Sequence, residues 1–203
     1  MMTPRRIAGI LTLVVAGCGK SGTTGGSTSA TTLTSAEATA VAQQVGRTVV
    51  NHFRGLRVRR QGGASAAECQ ASCGNLSCTV SCPVSDTNPC AAGGRIDTTG
   101  TASGTLDLGL SGTISLDERQ TYSDCSPSTG VVLNGDPYTT LSGGLPIAAG
   151  IVVPPATGTV GGAVRWATRG ISGSCPVSLQ VVVSASGGTV SGTVCGVPVS
   201  TSV

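Results

Sequence analysis

Between positions 105 and 117 the chain alternates without a break. Leu106, Leu108, Leu110, Gly112, Ile114 and Leu116 take the even positions, and Thr105, Asp107, Gly109, Ser111, Thr113, Ser115 and Asp117 take the odd ones. Successive side chains of a strand point to opposite faces, so a period of two specifies a sheet with one apolar and one wet face. Asp107 and Asp117 fall on the wet face, where solvated carboxylates are the expected state and a calcium ladder the sharper alternative. Gly109 and Gly112 allow a bend or bulge within the run. Further strands are predicted near 131–133, 139–145, 147–153, 159–166, 177–184 and 189–199. Turn signals separate several of them: Ser126-Pro127-Ser128, Asn134-Gly135, Pro154-Pro155 and Gly187-Gly188. Asn134-Gly135 suits a tight type I′ hairpin. A Gly-Thr-x-x-Gly unit begins at Gly100, Gly158 and Gly188; its irregular spacing excludes a solenoid and points to glycine at sites of sheet curvature.

Ahead of the strands lies one helical pattern. Thr34-Ser35-Ala36-Glu37 matches a capping box, with Thr34 as N-cap and Glu37 reaching back. Ala38, Val41, Ala42, Val45, Val49, Phe53 and Leu56 then recur at three- and four-residue steps and make one apolar face. An amphipathic helix is predicted over 34–60. Arg54, Arg57, Arg59 and Arg60 gather at its C-terminal end, where cations complement the helix dipole; contact with anionic lipid headgroups is the functional alternative.

The chain has few large side chains with which to fill a core: Phe53, Trp166, Tyr122 and Tyr138 are its only aromatics. Stabilisation from another source is expected, and the cysteines supply it. There are nine: Cys18, Cys69, Cys73, Cys78, Cys82, Cys90, Cys125, Cys175 and Cys195. Residues 61–95 read as a Cys-rich disulfide loop joining helix to sheet. Zinc on four thiolates is the alternative, but the spacing Cys69-x3-Cys73-x4-Cys78-x3-Cys82 is wider than the usual knuckle, and neither metal nor cofactor is expected. Connectivity stays open. Pairing Cys175 with Cys195 centres a hairpin near Ala185. Aligning Val183 with Val190 and Leu179 with Val194 moves the centre and puts Cys195 on the face opposite Val194. That bridge is therefore permitted but not demanded.

The odd cysteine count is explained at the N-terminus. Arg5 and Arg6 precede an apolar stretch at 7–16, too short for a bilayer span of roughly 20 residues, as in a secretory signal. Val15-Ala16-Gly17-Cys18 resembles the lipobox of bacterial lipoproteins. The resemblance implies that 1–17 is a signal peptide, that Cys18 carries lipid after cleavage, and that the membrane is a partner through that lipid. It leaves eight cysteines, enough for four bridges in an oxidising compartment. Residues 18–33, rich in Gly, Ser and Thr, read as anchor and flexible tether. Gly19 lacks the acidic side chain that resembles an inner-membrane retention signal, so the outer membrane is expected. More loosely, Tyr122-Ser123-Asp124-Cys125 followed by Val131 to Gly135 resembles a unit of uncharacterised β-rich bacterial lipoproteins.

Signs of chemistry are sparse. Of the 12 Lys and Arg and 9 Asp and Glu, removal of Arg5 and Arg6 leaves ten against nine, so no electrostatic nucleic-acid binder is expected. Gly19-Lys20-Ser21 imitates the end of a P-loop, but Val14 stands where the motif needs glycine. His52, the only histidine, lies within the helix and reads as half-buried and structural. No Gly-x-Ser-x-Gly elbow occurs. Glu118 and Asp124 are close in sequence, but nothing positions them around a cleft. No catalytic residue is assigned. The expected fold is α+β: an N-terminal amphipathic helix packed on a curved, mainly antiparallel sheet of about seven to nine strands spanning 96–203. A closed β-barrel or β-sandwich is the alternative. The expected role is a non-enzymatic envelope module contacting another envelope protein, with a carrier of lipid or another apolar ligand as the alternative.

Overall fold

The computed structural model describes residues 33–61, 69–135 and 138–203. The leader, Cys18 and the tether as far as residue 32 lie outside the described residues, as does 62–68 of the Cys-rich stretch. The described chain is mostly β-sheet with one helix. The helix is α1 (Ser35–Gly55). Thirteen strands follow: β1 (Val58–Arg60), β2 (Cys69–Cys73), β3 (Cys78–Pro89), β4 (Arg95–Leu106), β5 (Gly112–Ser123), β6 (Cys125–Ser128), β7 (Val131–Asn134), β8 (Thr139–Ala148), β9 (Ile151–Val152), β10 (Ala156–Thr168), β11 (Ile171–Val183), β12 (Gly188–Val194) and β13 (Val197–Ser202). They form one sheet in the order β1-β2-β3-β4-β5-β8-β10-β11-β12-β13, with β6, β7 and β9 as short side branches. Every pairing is antiparallel except β1 with β2. The sheet does not close into a barrel. Pro198 stands on the open edge of β13. Gly188 and Val203 exchange both backbone hydrogen bonds at 2.9 Å, so by alternation the backbone of Pro198 faces away from β12, where a missing N–H leaves no gap in the ladder.

The helix begins where its capping box stands. Thr34 Oγ1 accepts from the Glu37 N–H at 3.3 Å, and the Thr34 N–H donates to Glu37 Oε2 at 2.8 Å. Leu33, expected in the tether, is buried with the core at the N′ position, and so is Ala38 at N4. This is the spacing of a hydrophobic staple. The helix stops at Gly55, short of Arg60. Leu56 is already extended (ψ 129°), and the Val58 N–H donates to the Gly150 carbonyl at 2.8 Å. Gly55 is a poor helix former, and a β-branched residue with a sheet partner follows it. Residues 58–60 therefore leave the helix as an edge strand.

The Cys-rich stretch is not a loop where it is described: β2 and β3 occupy most of it. Cys78, Val80, Cys82 and Val84 alternate as buried positions along β3, because a half-cystine packs as a small apolar side chain. These strands, with the short β1, β6 and β9, bring the total above the expected seven to nine.

The alternation at 105–117 is not one strand. β4 ends at Leu106, residues 107–111 turn, and β5 begins at Gly112. Leu110 adopts a positive φ of 57°, and Asp107 Oδ1 accepts from the Ser111 N–H at 2.8 Å. Facing residues across this hairpin (Leu106 with Gly112, Gly104 with Ile114, Ala102 with Leu116) share parity. Cross-strand partners point to the same face. The apolar phase therefore passes through the turn unbroken, and the sequence pattern cannot reveal it. Asn134-Gly135 does not join two paired strands either. β7 pairs with β6 and β10, not β8, and Asn134 Oδ1 instead accepts from the Asp124 N–H at 3.2 Å.

Two close approaches explain glycines of the chain. A Cβ on Gly46 of α1 would lie 2.3 Å from Val190 Cγ2, and one on Gly158 of β10 would lie 2.8 Å from Phe53 Cζ. Helix and strand meet here at distances that a larger residue forbids.

Candidate functional site

The four disulfides join Cys69 to Cys82, Cys73 to Cys78, Cys90 to Cys125 and Cys175 to Cys195. The first two staple β2 to β3. The third ties the end of β3 to β6 across a separation of 35 residues. The fourth resolves the conflict read at the last hairpin. Val177 faces Val194 and Val181 faces Val190, a register between the two considered, and Cys195 lies in the turn after β12 with φ 55°. Side-chain alternation ends with the strand, so a turn residue can reach Cys175 from a position that a regular strand would turn away. The sulfurs of 69, 73, 78 and 82 are thus not thiolates for zinc. Among the described residues no group of three His, Cys, Asp or Glu is placed to hold a metal ion. Four disulfides fit an oxidising compartment outside the cytoplasm. No described helix is long and apolar enough to cross a membrane.

The chemistry-bearing residues meet between α1 and the sheet. Gln44, Thr48 and His52 follow one another at four-residue steps and make a buried polar stripe beside the apolar face. Gln44 Nε2 donates to the Pro89 carbonyl at 3.2 Å, and its Oε1 accepts from the Ala91 N–H at 3.0 Å. His52 Nε2 lies 2.9 Å from Glu118 Oε1 on β5, and Nδ1 lies 3.4 Å from Asp86 Oδ2 on β3. The Glu118 side chain is fully buried, whereas that of Asp86 is 39 % exposed. Burial alone would lower the imidazole pKa. The hydrogen bond to Glu118, the Glu118 charge and then Asp86 outweigh it, and the ring is held above its ordinary value.

This arrangement decides what His52 can do. Both ring nitrogens face carboxylate oxygens, Nε2 that of Glu118 and Nδ1 that of Asp86, and these carboxylates favour the charged ring. A Ser-His-Asp relay needs one nitrogen free for its nucleophile. The histidine is more deeply buried than the sequence implied, and its carboxylate partners were not among the expected contacts. A signal for them existed: Glu118 and Gln120 sit at even positions that continue the alternation of Ile114 and Leu116, where apolar residues belong. The sequence neighbours Glu118 and Asp124 are not brought together. Glu118 is buried within β5, whereas Asp124 follows the end of that strand with φ 46° and is exposed.

Further along β5, Tyr122 is buried and its hydroxyl lies 2.7 Å from Thr139 Oγ1, which in turn donates to Gln120 Oε1 at 3.3 Å. Burial pushes the Tyr122 phenol up to about 12. Glu118 Oε2, Gln120 Nε2 and Thr98 Oγ1 are buried without a partner among the described residues. Thr98 and Gln120 face each other across β4 and β5, so these atoms belong to one polar strip.

A pocket of about 320 Å³ opens at the seam of α1 with β3, walled by Leu56, Val84, Pro83 and Cys69 and with His52 and Asp86 at its polar side. A second, of about 240 Å³, continues the seam past Thr48, Asn51 and Asn88. A hollow of about 360 Å³ bounded by Gln70, Ser72, Thr79 and Ser81 carries no titratable side chain.

These features define a β-rich domain with an open sheet, four disulfides and a buried His–carboxylate cluster. No family model, curated protein or solved structure matches the chain.

Proposed function

We propose that this chain is an exported lipoprotein, anchored through lipid on Cys18, whose domain serves as a non-enzymatic interaction module of the cell envelope. One observation carries the reading: the eight cysteines after Cys18 pair with one another, so Cys18 has no cysteine left as partner. A lone cysteine after an apolar leader is where a lipobox puts its acyl acceptor. The lock on His52 accords with a structural rather than a catalytic role. Gly19 favours the outer membrane.

The α+β arrangement belongs to the same reading. α1 touches β3 through Gln44, β5 through His52, β10 through Phe53, β12 through Gly46 and β13 through Gln43, whose Nε2 donates to Thr201 Oγ1 at 2.9 Å. From β3 to β13 is seven steps in strand order, about 34 Å if flat at ~4.8 Å each. A helix with side chains is only about 10–12 Å across. A sheet curled around α1 would bring all these contacts within reach of one helix.

The test is the intact mass of the chain after export in a bacterial host fed a traceable fatty acid. A mature chain starting at residue 18 with diacylglyceryl and acyl groups is expected, and Cys18→Ser should lose both label and cleavage. A free thiol at Cys18, or cleavage elsewhere, would overturn the reading. The pocket beside Leu56 and Val84 favours a second reading, a carrier of a small apolar ligand, because its volume is at the lower end for such sites. Native mass spectrometry of residues 18–203 with Cys18→Ser, exported behind a signal peptide cleaved without lipidation and purified without detergent, tests it: extra mass lost on denaturation supports a carrier, and a bare mass counts against one.

A further inference from the structure

Successive antiparallel strands put their turns at alternate ends of the sheet, and one end differs from the other in chemistry. The C-terminal end of α1 and the turns at 107–111 and 149–150 meet there. The Val58 N–H donates to the Gly150 carbonyl at 2.8 Å, the Gly150 N–H donates to the Leu110 carbonyl at 3.0 Å, and the Arg60 guanidinium donates to the Leu108 carbonyl. Cys78 faces Leu106, so the turn at 74–77 stands beside that at 107–111. Three of the five most exposed large apolar side chains among the described residues project from this end: Leu76 at 88 %, Ile151 at 46 % and Leu108 at 40 %.

Arginines surround them. Arg54 donates to the carbonyls of Ser184 and Ala185, Arg57 to those of Arg54 and Leu56, and Arg60 to that of Leu108. Neutral carbonyls orient a guanidinium without cancelling its charge. Asp107, the acidic residue on these turns, is bound into its own backbone through Ser111. At the other end Arg169 meets Glu37 and Arg95 meets Asp97, each at 2.9 Å. Among the described residues, this end thus combines exposed leucine and isoleucine with guanidinium groups that donate to neutral carbonyls, whereas at the other end Arg95 and Arg169 meet carboxylates.

We propose that this tip docks on an anionic lipid bilayer. Leu76, Leu108 and Ile151 enter the boundary between headgroups and acyl chains, and Arg54, Arg57 and Arg60 meet lipid phosphates just above it. Charge complementarity commits the site to this occupant, since exposed apolar tips ringed by cations match both layers of such a surface. The far end of α1 then stands about 32 Å away. Residues 19–33 can extend to about 50 Å, so a lipid on Cys18 and the docked tip can share one bilayer. Docking nevertheless stands on the tip's residues and not on acylation.

The test uses residues 18–203 with Cys18→Ser, exported behind a signal peptide that is cleaved without lipidation, so that neither leader nor acyl chain is present and the disulfides form. Binding to vesicles of phosphatidylcholine with phosphatidylglycerol is compared with binding to phosphatidylcholine alone. The parent is expected to prefer the anionic vesicles. Arg57→Gln with Arg60→Gln should weaken that binding by about 30-fold, and Leu108→Ser with Ile151→Ser should weaken it too. Arg119→Gln with Arg165→Gln removes equal charge away from the tip and should leave binding as in the parent. No variant carries the leader, so binding reports the domain and its tip, and thiol titration verifies the fold of each. Equal binding to both vesicles, unchanged binding of the tip variants, or an equal loss in the control pair would overturn the proposal. So would capture by an acidic protein surface with no vesicle binding.

Discussion

Removing His52 should unfold the chain more readily than its size implies, because it strands a charge. Glu118 has a fully buried side chain, its Oε2 has no partner among the described residues, and its Oε1 meets His52 at 2.9 Å. In His52→Ala that carboxylate keeps neither contact. Breaking one side of a buried ion pair costs about 3–5 kcal/mol, whereas replacing both partners by apolar side chains is often neutral or stabilising. His52→Leu with Glu118→Leu should therefore be more stable than His52→Ala. The assay is urea unfolding with disulfides intact. With m of about 1–3 kcal/mol/M, a loss of about 4 kcal/mol lowers the midpoint by more than about 1 M. The pH dependence has a definite sign. Burial opposes the charged ring but Glu118 and Asp86 overcome it, so the folded-state pKa lies above the ordinary 6.5. The stabilisation is complete below that value and lost as pH rises through the folded pKa. The double-leucine variant should lack this alkaline decline. A His52→Ala midpoint within about 0.5 M of the parent would refute the reasoning, and so would a double variant as damaged as the single.

Opening the Cys90–Cys125 bridge, whose ends are 35 positions apart, should cost about 4 kcal/mol and opening Cys73–Cys78, 5 apart, about 2, so paired alanine variants should rank in that order by thermal unfolding. Gly46→Ala puts a Cβ 2.3 Å from Val190 and should destabilise by about 1–3 kcal/mol, whereas Gly55→Ala meets nothing within 4 Å and should stabilise by about 0.4–1 kcal/mol; denaturant midpoints of the two variants check the contrast. Thr34→Ala removes the N-cap acceptor and should cost about 1 kcal/mol in the same assay. The Thr34 N–H and hydroxyl hold the Glu37 carboxyl below its ordinary pKa, so its contribution is present above the usual carboxylate range and fades as pH falls through the folded value; acid titration of stability in Glu37→Gln should lack that part of the slope.

What the sequence discloses is what local physics determines. The capping box at Thr34 needs only four residues, and it forms where the pattern puts it. Period-two burial is equally local, and β3, β5, β8 and β10 all display it. Partners are not local. Nothing near Asn134 says that β7 lies against β10 rather than β8. The hairpin at 107–111 hides because its register preserves parity, so two strands look like one. The β2–β3 pair was missed for a different reason. Cys78 and Cys82 share the buried phase of β3 with Val80 and Val84, and a strand whose apolar positions are half-cystines does not read as an apolar alternation. The His52–Glu118–Asp86 cluster joins α1, β5 and β3, and its hydrogen-bonded pair, His52 and Glu118, is 66 positions apart in sequence. Its one local trace is a glutamate on the apolar phase of a strand.

The scarcity of aromatic residues and the abundance of glycine have a common physical consequence. Small core side chains give up less water-exposed area each, so a core of Val, Leu and Ala must bring its backbones closer to reach a dense interior. Gly46 under Val190, Gly158 under Phe53 and Gly188 under Val50 allow that approach, each replacing a side chain that would hold helix and strand apart. The same glycines enlarge the freedom of the unfolded chain, and ordering them is costly. Cross-links act on that term, since each bridge removes conformations from the unfolded ensemble and leaves the core untouched. The bridges also lie toward the margins of the sheet: at its β2–β3 edge, where β3 ends and β6 begins, and at the last hairpin beside the free edge of β13. On this account the glycine-rich core and the disulfides are interdependent. Stabilising the helix seat by larger side chains should fail while it clashes, and reduction should release the sheet's edges and ends before its centre. Hydrogen exchange under reducing conditions would show the centre, β5, β8 and β10, protected longest; uniform loss of protection across all strands would contradict this division of labour.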